Sequence, residues 1–225
     1  MNIGEIRIRN PAMTMVLAVT LLNVGCANPG TDQQATAETR QTNTQESEVG
    51  DKQLASATIA VDVIIIDKAR DSNLLDQVMQ GVNDIYQQCQ IAVTFEAQSV
   101  DLTAGQVIDK ETRTNLADEY NAELATLFFV SRTAEADVGF AYLPSGEAPL
   151  ASSIWVTERV SEACLPWVAA HEIGHVLLDS GKHSNGLSNV MSNGCTANNW
   201  SNSAASPKWT IKRCLALHQS PFIVP

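Results

Sequence analysis

Three of the four histidines in this 225-residue chain fall within thirteen residues, in the stretch VAAHEIGHVLLDSGKHSNGLSNVMSNGC that runs from Val168 to Cys195. His171 and His175 are four apart, and Glu172 directly follows the first. Residues four apart on a helix lie one above the other, so both imidazoles can meet a single cation. Glu172 lies about 100° further round, placed to reach a water held by that cation rather than the cation itself. This is the spacing of metal-assisted hydrolysis: zinc polarises a water and a carbonyl, and the carboxylate takes the proton and passes it to the leaving amine. The segment from Trp167 to Leu178 is otherwise apolar nearly all round, with Pro166 where a first helical turn tolerates it, which predicts a buried helix. Burying two imidazoles and a carboxylate there costs several kcal/mol unless they are paired or metal-bound, and this favours zinc over a chance spacing.

A catalytic zinc needs a third protein ligand and an open position. Asp179 continues the stripe but stands eight residues beyond His171, about 12 Å along a straight helix. His183 can close on the ion if the helix ends first, and Gly181 is suited to end it in a left-handed conformation. His218, in the CLALHQSP tail, reads as a packing or surface histidine.

The elements that must hold these residues follow from periodicity. In ATIAVDVIII, Ile59, Val61, Val63 and Ile65 share one face and Ile64 and Ile66 the other, so a strand covered on both sides is expected. Leu74, Leu75, Val78, Met79, Val82, Ile85 and Cys89 repeat at helical spacing, predicting a helix over 73–89. IAVTF reads as a strand, 101–123 as a polar connection, and ATLFFVS, VGFAYLP and SSIWVTE as three further strands. Pro144 and Gly146 end the second of these, which suits a sheet edge. A last helix is expected near 207–218.

HExxH, a glycine turn, a third histidine and then NVMS resemble the zinc-binding segment and Met-turn of metzincin metallopeptidases. VGFAYLPSGEAPLASSIWVTERV leading into AAHEIGHVLL is similar to the edge strand, loop, strand and active-site helix of the reprolysin-like branch. The resemblance implies an α+β catalytic domain with a twisted, mixed five-stranded sheet, an active-site helix and a smaller C-terminal subdomain. It implies His171, His175 and His183 as ligands of one Zn2+, Glu172 as general base, Met191 as a hydrophobic floor beneath the metal, and hydrolysis of peptide bonds. Peptide or protein substrate would pair in extended form with the edge strand at Gly139, Phe140, Ala141 and Tyr142. The family pattern has glycine three and histidine six residues after the second ligand. Here Leu178 and Gly181 occupy those places, and His183 comes eight after. Asn193 stands where some members carry a tyrosine. Hydrolysis of another amide, such as peptidoglycan, and a non-catalytic zinc-binding envelope lipoprotein on a peptidase-like scaffold are the alternative readings.

The N-terminus sets the expected compartment. Residues 1–26 join Arg7 and Arg9 to a short apolar run ending at Cys26, and read as an export signal. Leu22-Asn23-Val24-Gly25-Cys26 resembles a bacterial lipoprotein box, which implies a lipid anchor at Cys26 and a place in the cell envelope. Ala27 resembles signals for the outer rather than the inner membrane, and cleavage after Ala27 with secretion is the competing reading. Residues 27–56 are polar, without aromatic residues, and form a linker ahead of a domain over 57–225. A net charge of -11 with no basic cluster argues against nucleic acid as a partner. With Cys26 assigned to lipid, Cys89, Cys164, Cys195 and Cys214 form an even set for two disulfides, and three pairings are open. The expected pairing is Cys195 with Cys214, fastening the Met-turn to the last helix, and Cys89 with Cys164.

Overall fold

The computed structural model describes residues 54–67, 72–102, 107–120, 125–134, 138–185, 189–192, 195 and 207–225. The expected signal segment with Cys26, nearly all of the expected linker, and Asn193 lie outside these residues. The chain runs β1 (Ala57–Ile66), α1 (Ser72–Gln87), β2 (Ile91–Val100), α2 (Lys110–Tyr120), β3 (Ala125–Val130), β4 (Gly139–Ala141) and β5 (Ser153–Thr157). A single 3-10 turn (Glu162–Cys164) then leads into α3 (Leu165–Leu177), and α4 (Ile211–Leu217) lies near the C-terminus. None of the described helices is long and apolar enough to cross a membrane.

The sheet order is β2-β1-β3-β5-β4. β1 pairs in parallel with β2 and β3, and β3 with β5, while β4 runs antiparallel to β5 at the edge. The fold is therefore α+β with a mixed five-stranded sheet, as the periodicity and the resemblance imply. Parallel strands covered on both faces become continuous apolar runs, and every residue of β3 and β5 is buried. The alternation in β1 sorts its side chains into two cores. Ile59, Val61, Val63 and Ile65 join α1 and α3 on one side. Ile64 and Ile66 join Leu116, Phe128 and Trp155 on the other, where Phe128 and Trp155, paired in register, stack with ring centroids 4.2 Å apart.

Two expectations about the framework need correction. Residues 101–123 are more than a polar connection, because α2 forms within them and covers the second core. Its buried residues are Arg113, Leu116 and Ala117, so an arginine occupies a place that an apolar periodicity would fill. Arg113 is nonetheless accommodated: Nη1 donates to the Ile108 carbonyl at 3.2 Å, and the guanidinium lies 5.2 Å from the Phe140 ring centroid.

The disulfides pair differently as well. Cys89 is joined to Cys214 and Cys164 to Cys195, not Cys195 to Cys214 and Cys89 to Cys164. The short loop between Cys195 and Cys214 suggested a local bridge, but tertiary packing decides otherwise. α4 docks on the end of α1, where His218 Nε2 donates to the Cys89 carbonyl at 2.7 Å and the Cα atoms of Cys89 and Cys214 come to 5.1 Å. His218 thus has the packing role expected of it. Cys164 stands at the start of α3, and its bridge fastens the segment after Met191 to that helix.

Candidate metal centre

α3 begins with Pro166 in its first turn and buries both faces, so His171, Glu172 and His175 lie inside the protein at 8%, 7% and 6% exposure. The buried Tyr86 hydroxyl donates to the Ala170 carbonyl at 2.9 Å and ties the helix to α1, and burial pushes its phenol well above its ordinary pKa. The helix ends in a Schellman turn. Asp179 N–H donates to Val176 O and Ser180 N–H to His175 O, both at 3.1 Å. The left-handed residue of that turn is Asp179, at φ 42°, and not Gly181 as expected. The chain therefore turns two residues earlier than expected, which leaves Gly181 and Lys182 as a spacer before His183.

The turn brings His183 to the other two histidines. His175 Nε2 lies 3.0 Å from His171 Nε2 and 3.2 Å from His183 Nε2, and one nitrogen from each ring falls within 4.8 Å of the others. Asp179 is not among them; its carboxylate turns toward Ser145. The tautomers follow from the second nitrogens. His171 Nδ1 meets the Val190 carbonyl at 2.7 Å and His175 Nδ1 the Ser180 carbonyl at 2.6 Å. A carbonyl only accepts, so each Nδ1 carries the proton, and in a neutral ring Nε2 is left with its lone pair.

Burial keeps these rings neutral. It lowers the pKa of His171 to about 4, with His175, His183 and Arg213 adding to the effect. His175 is lowered by burial and by the charges of His183 and Arg213, and His183 by partial burial and by Arg213. Lone pairs converging at about 3 Å with no proton between them repel unless a cation stands among them. Four tetrahedral ligands at the usual zinc–nitrogen distance of about 2.0–2.1 Å stand about 3.3 Å apart. The donor set fits zinc on chemistry, the two separations from His175 Nε2 fit it on spacing, and the carbonyls at Nδ1 are the outer partners that zinc-bound histidines ordinarily have.

Met191 is fully buried against α3, and a glycine makes room for it. A Cβ on Gly174 would stand 2.6 Å from Met191 Sδ and 2.9 Å from Trp209, so only glycine lets the turn approach α3 this closely. Asn189 shapes the turn by accepting the Met191 N–H at 2.9 Å. The Val190 carbonyl accepts from both His171 Nδ1 and Trp167 Nε1, so the turn that carries Met191 also orients the His171 ring. Ser184 connects His183 to this turn through its N–H, which donates to Met191 O at 2.7 Å. Its hydroxyl accepts from Arg213 Nη2 of α4 at 2.8 Å.

Glu172 faces the edge strand. A Cβ on Gly139 would stand 2.8 Å from Val168 Cγ1 and 3.3 Å from Glu172 Oε1, so the start of β4 rests on the helix beside this carboxylate. Phe140 of β4 packs on the far side with Tyr142 in an edge-to-face contact, ring centroids 5.8 Å apart, and Ala141 on the α3 side. β4, Gly139–Ala141, is an edge strand of the sheet, as expected, with Tyr142 directly after it and Gly139 against Glu172. The orienting carbonyls of Ser180 and Val190, the anchor Arg213 and the need for glycine at 174 are absent from the sequence-based expectations. Of these only Gly174 left a signal, as a glycine inside an apolar helix.

No family model matches the sequence, and no curated protein matches it by sequence. Solved structures do resemble it in fold. Metalloproteinase-II from Bacteroides fragilis superposes with a TM-score of 0.53 at 15% identity over 76% of this chain, which spans 55% of that protein's length. Archaemetzincin from Methanopyrus kandleri superposes with a TM-score of 0.52 at 14% identity, over 72% of this chain and 94% of the other. At such identities the likeness is one of fold, and in this chain three histidines gather where a metal could be held.

Proposed function

We propose that this protein is a zinc-dependent endopeptidase of metzincin type, near the reprolysin-like branch, in which His171, His175 and His183 hold one Zn2+ and Glu172 is the general base. The observation that carries this reading is the convergence of three histidine nitrogens, two of them Nε2 atoms left unprotonated by the carbonyls at Nδ1, on a helix that also buries Glu172. Zinc, when bound, lowers the pKa of a coordinated water from about 15.7 toward about 7 and polarises the scissile carbonyl. The chain supplies the rest. Val190 and Ser180 hold the ligand rings in the required tautomer, and Met191 floors the site. Gly139–Tyr142 aligns an extended peptide by backbone pairing at the sheet edge, which gives a peptide or protein substrate. Glu172, next to both the ligand cluster and that strand, accepts the proton from water and delivers it to the departing amine nitrogen.

Lipidation at Cys26 would hold the enzyme at a bacterial envelope membrane, on the outer membrane by the residue that follows it, with the linker as a tether. The box at 22–26 and the pairing of all four remaining cysteines support this. Cys26→Ser should move the protein out of the membrane fraction or block its processing; unchanged fractionation refutes the anchor. The function itself is tested by metal analysis of the purified protein together with cleavage of casein. About one zinc per chain and chelator-sensitive cleavage are expected. Full zinc occupancy with neither casein nor muropeptides cleaved would refute hydrolysis.

A further inference from the structure

The turn that ends α3 is attached to the rest of the site in two ways, by its backbone and by one side chain. Asp179 holds φ 42° directly after the helix cap at Leu178, and the Schellman bonds there aim the Ser180 carbonyl at His175 Nδ1. The side chain faces the other way. Asp179 Oδ1 accepts from Ser145 twice, from its N–H at 3.1 Å and its hydroxyl at 2.8 Å. Ser145 belongs to the turn closed by Gly146 N–H donating to Leu143 O at 2.8 Å, which begins two residues after β4 ends. The other end of β4 rests on Val168 and Glu172 through Gly139. The edge strand is therefore fastened to the active-site helix at both ends, by packing at Gly139 and by hydrogen bonds at Ser145.

We infer that Asp179 is a positioning residue that ties the substrate-edge strand to the metal-binding turn, its backbone aiming the carbonyl that orients His175 and its carboxylate holding the strand's closing turn. Few residue types can do both. The left-handed region admits glycine readily and otherwise favours Asn and Asp, whose short side chains bond locally. Glycine keeps the turn but offers no acceptor; alanine offers no acceptor and strains the turn. Asparagine keeps both, since its amide oxygen can accept what the carboxylate accepts. The inference rests on the proposed binding of peptide along β4 for its effect on substrate, and on the observed geometry alone for its effects on the strand and the metal.

Four variants separate the two attachments. Zinc affinity is read by chelator competition, strand order by amide hydrogen exchange over 139–146, and substrate binding by KM and kcat on a peptide the parent cleaves. Asp179→Asn should match the parent in all three. Asp179→Gly should keep zinc affinity and kcat, while exchange at Ser145 accelerates and KM rises about three- to tenfold, the scale of losing ordinary hydrogen bonds at the surface. Asp179→Ala should show the same changes and also bind zinc about tenfold more weakly, the scale of disturbing a ligand's outer partner. Ser145→Ala should raise KM in the same direction without touching α3. Parent-like exchange in Asp179→Gly overturns the strand attachment, and equal zinc affinity in the Gly and Ala variants overturns the turn attachment. Exchange and zinc affinity require no cleavage. If the parent proves unable to cut peptide, the proposed function falls while these two readings still decide the role of Asp179.

Discussion

His171 and His175 sit on a buried helix, each with its second nitrogen fixed by a carbonyl, whereas His183 sits on an exposed loop held mainly through its neighbour Ser184. The helical pair is positioned by the same packing that builds the core, so its geometry comes with the fold. The third nitrogen reaches the cluster only because the chain reverses at Asp179 and because Ser184 is pinned to Met191 and Arg213. One part of the site is set by burial and the other by hydrogen bonds between loops.

The largest effects should come from removing a ligand on either side of this division. His171→Ala and His183→Ala should each weaken zinc binding by more than the roughly 10- to 100-fold typical of losing an outer-shell partner. The metal-free proteins should differ: His171→Ala leaves a cavity and lowers the melting temperature, while His183→Ala leaves it near that of the parent. Chelator competition and thermal unfolding measure the two. Parent-like zinc affinity in His183→Ala would remove the loop from the site.

Acid should discriminate the two parts next. Burial lowers the pKa of His171 to about 4 from an ordinary value of 6.5. Between those values the unfolded chain binds a proton that the folded chain refuses. Stability of the metal-free protein is therefore full above pH 6.5 and is lost as pH falls toward 4, by roughly 3 kcal/mol from this ring alone. Denaturant titrations across that range check it. The loss should persist in His183→Ala and shrink in His171→Ala; a flat profile contradicts the neutral buried ring.

A smaller effect tests the contact between the two parts. Gly174→Ala places a methyl group against Met191 and Trp209, an overpacking that costs about 1–3 kcal/mol. The melting temperature should fall by several degrees, at about 2–4 °C per kcal/mol for a chain of this size. Zinc affinity should fall with it, because the displaced turn carries the Val190 carbonyl. Unchanged stability would mean that the Met-turn is not held against α3.

The same division governs what could be read in advance. The two faces of β1 are legible because burial imposes a period, α3 because its segment is apolar nearly all round, and the edge placement of β4 because Pro144 and Gly146 follow it. α2 was not, since its buried face includes Arg113, whose place depends on the Phe140 ring and the Ile108 carbonyl brought from elsewhere. The disulfide partners escaped for the same reason: α4 docks on α1 from far along the chain, and local spacing carries no trace of it. His183 was found from its residue type. The turn that delivers it was misassigned to Gly181, because an aspartate can take a left-handed conformation and here does. Residues that act through backbone carbonyls, such as Ser180 and Val190, leave no side-chain signature at all.

Glu172 separates metal binding from catalysis most directly, because three histidines can hold zinc with no reaction following. Glu172→Gln is nearly isosteric and should keep the fold and about one zinc per chain, while peptide cleavage falls by roughly 100-fold or more, the scale of losing a general base. A Glu172→Gln protein that binds zinc normally and cleaves peptide as fast as the parent would contradict the mechanism.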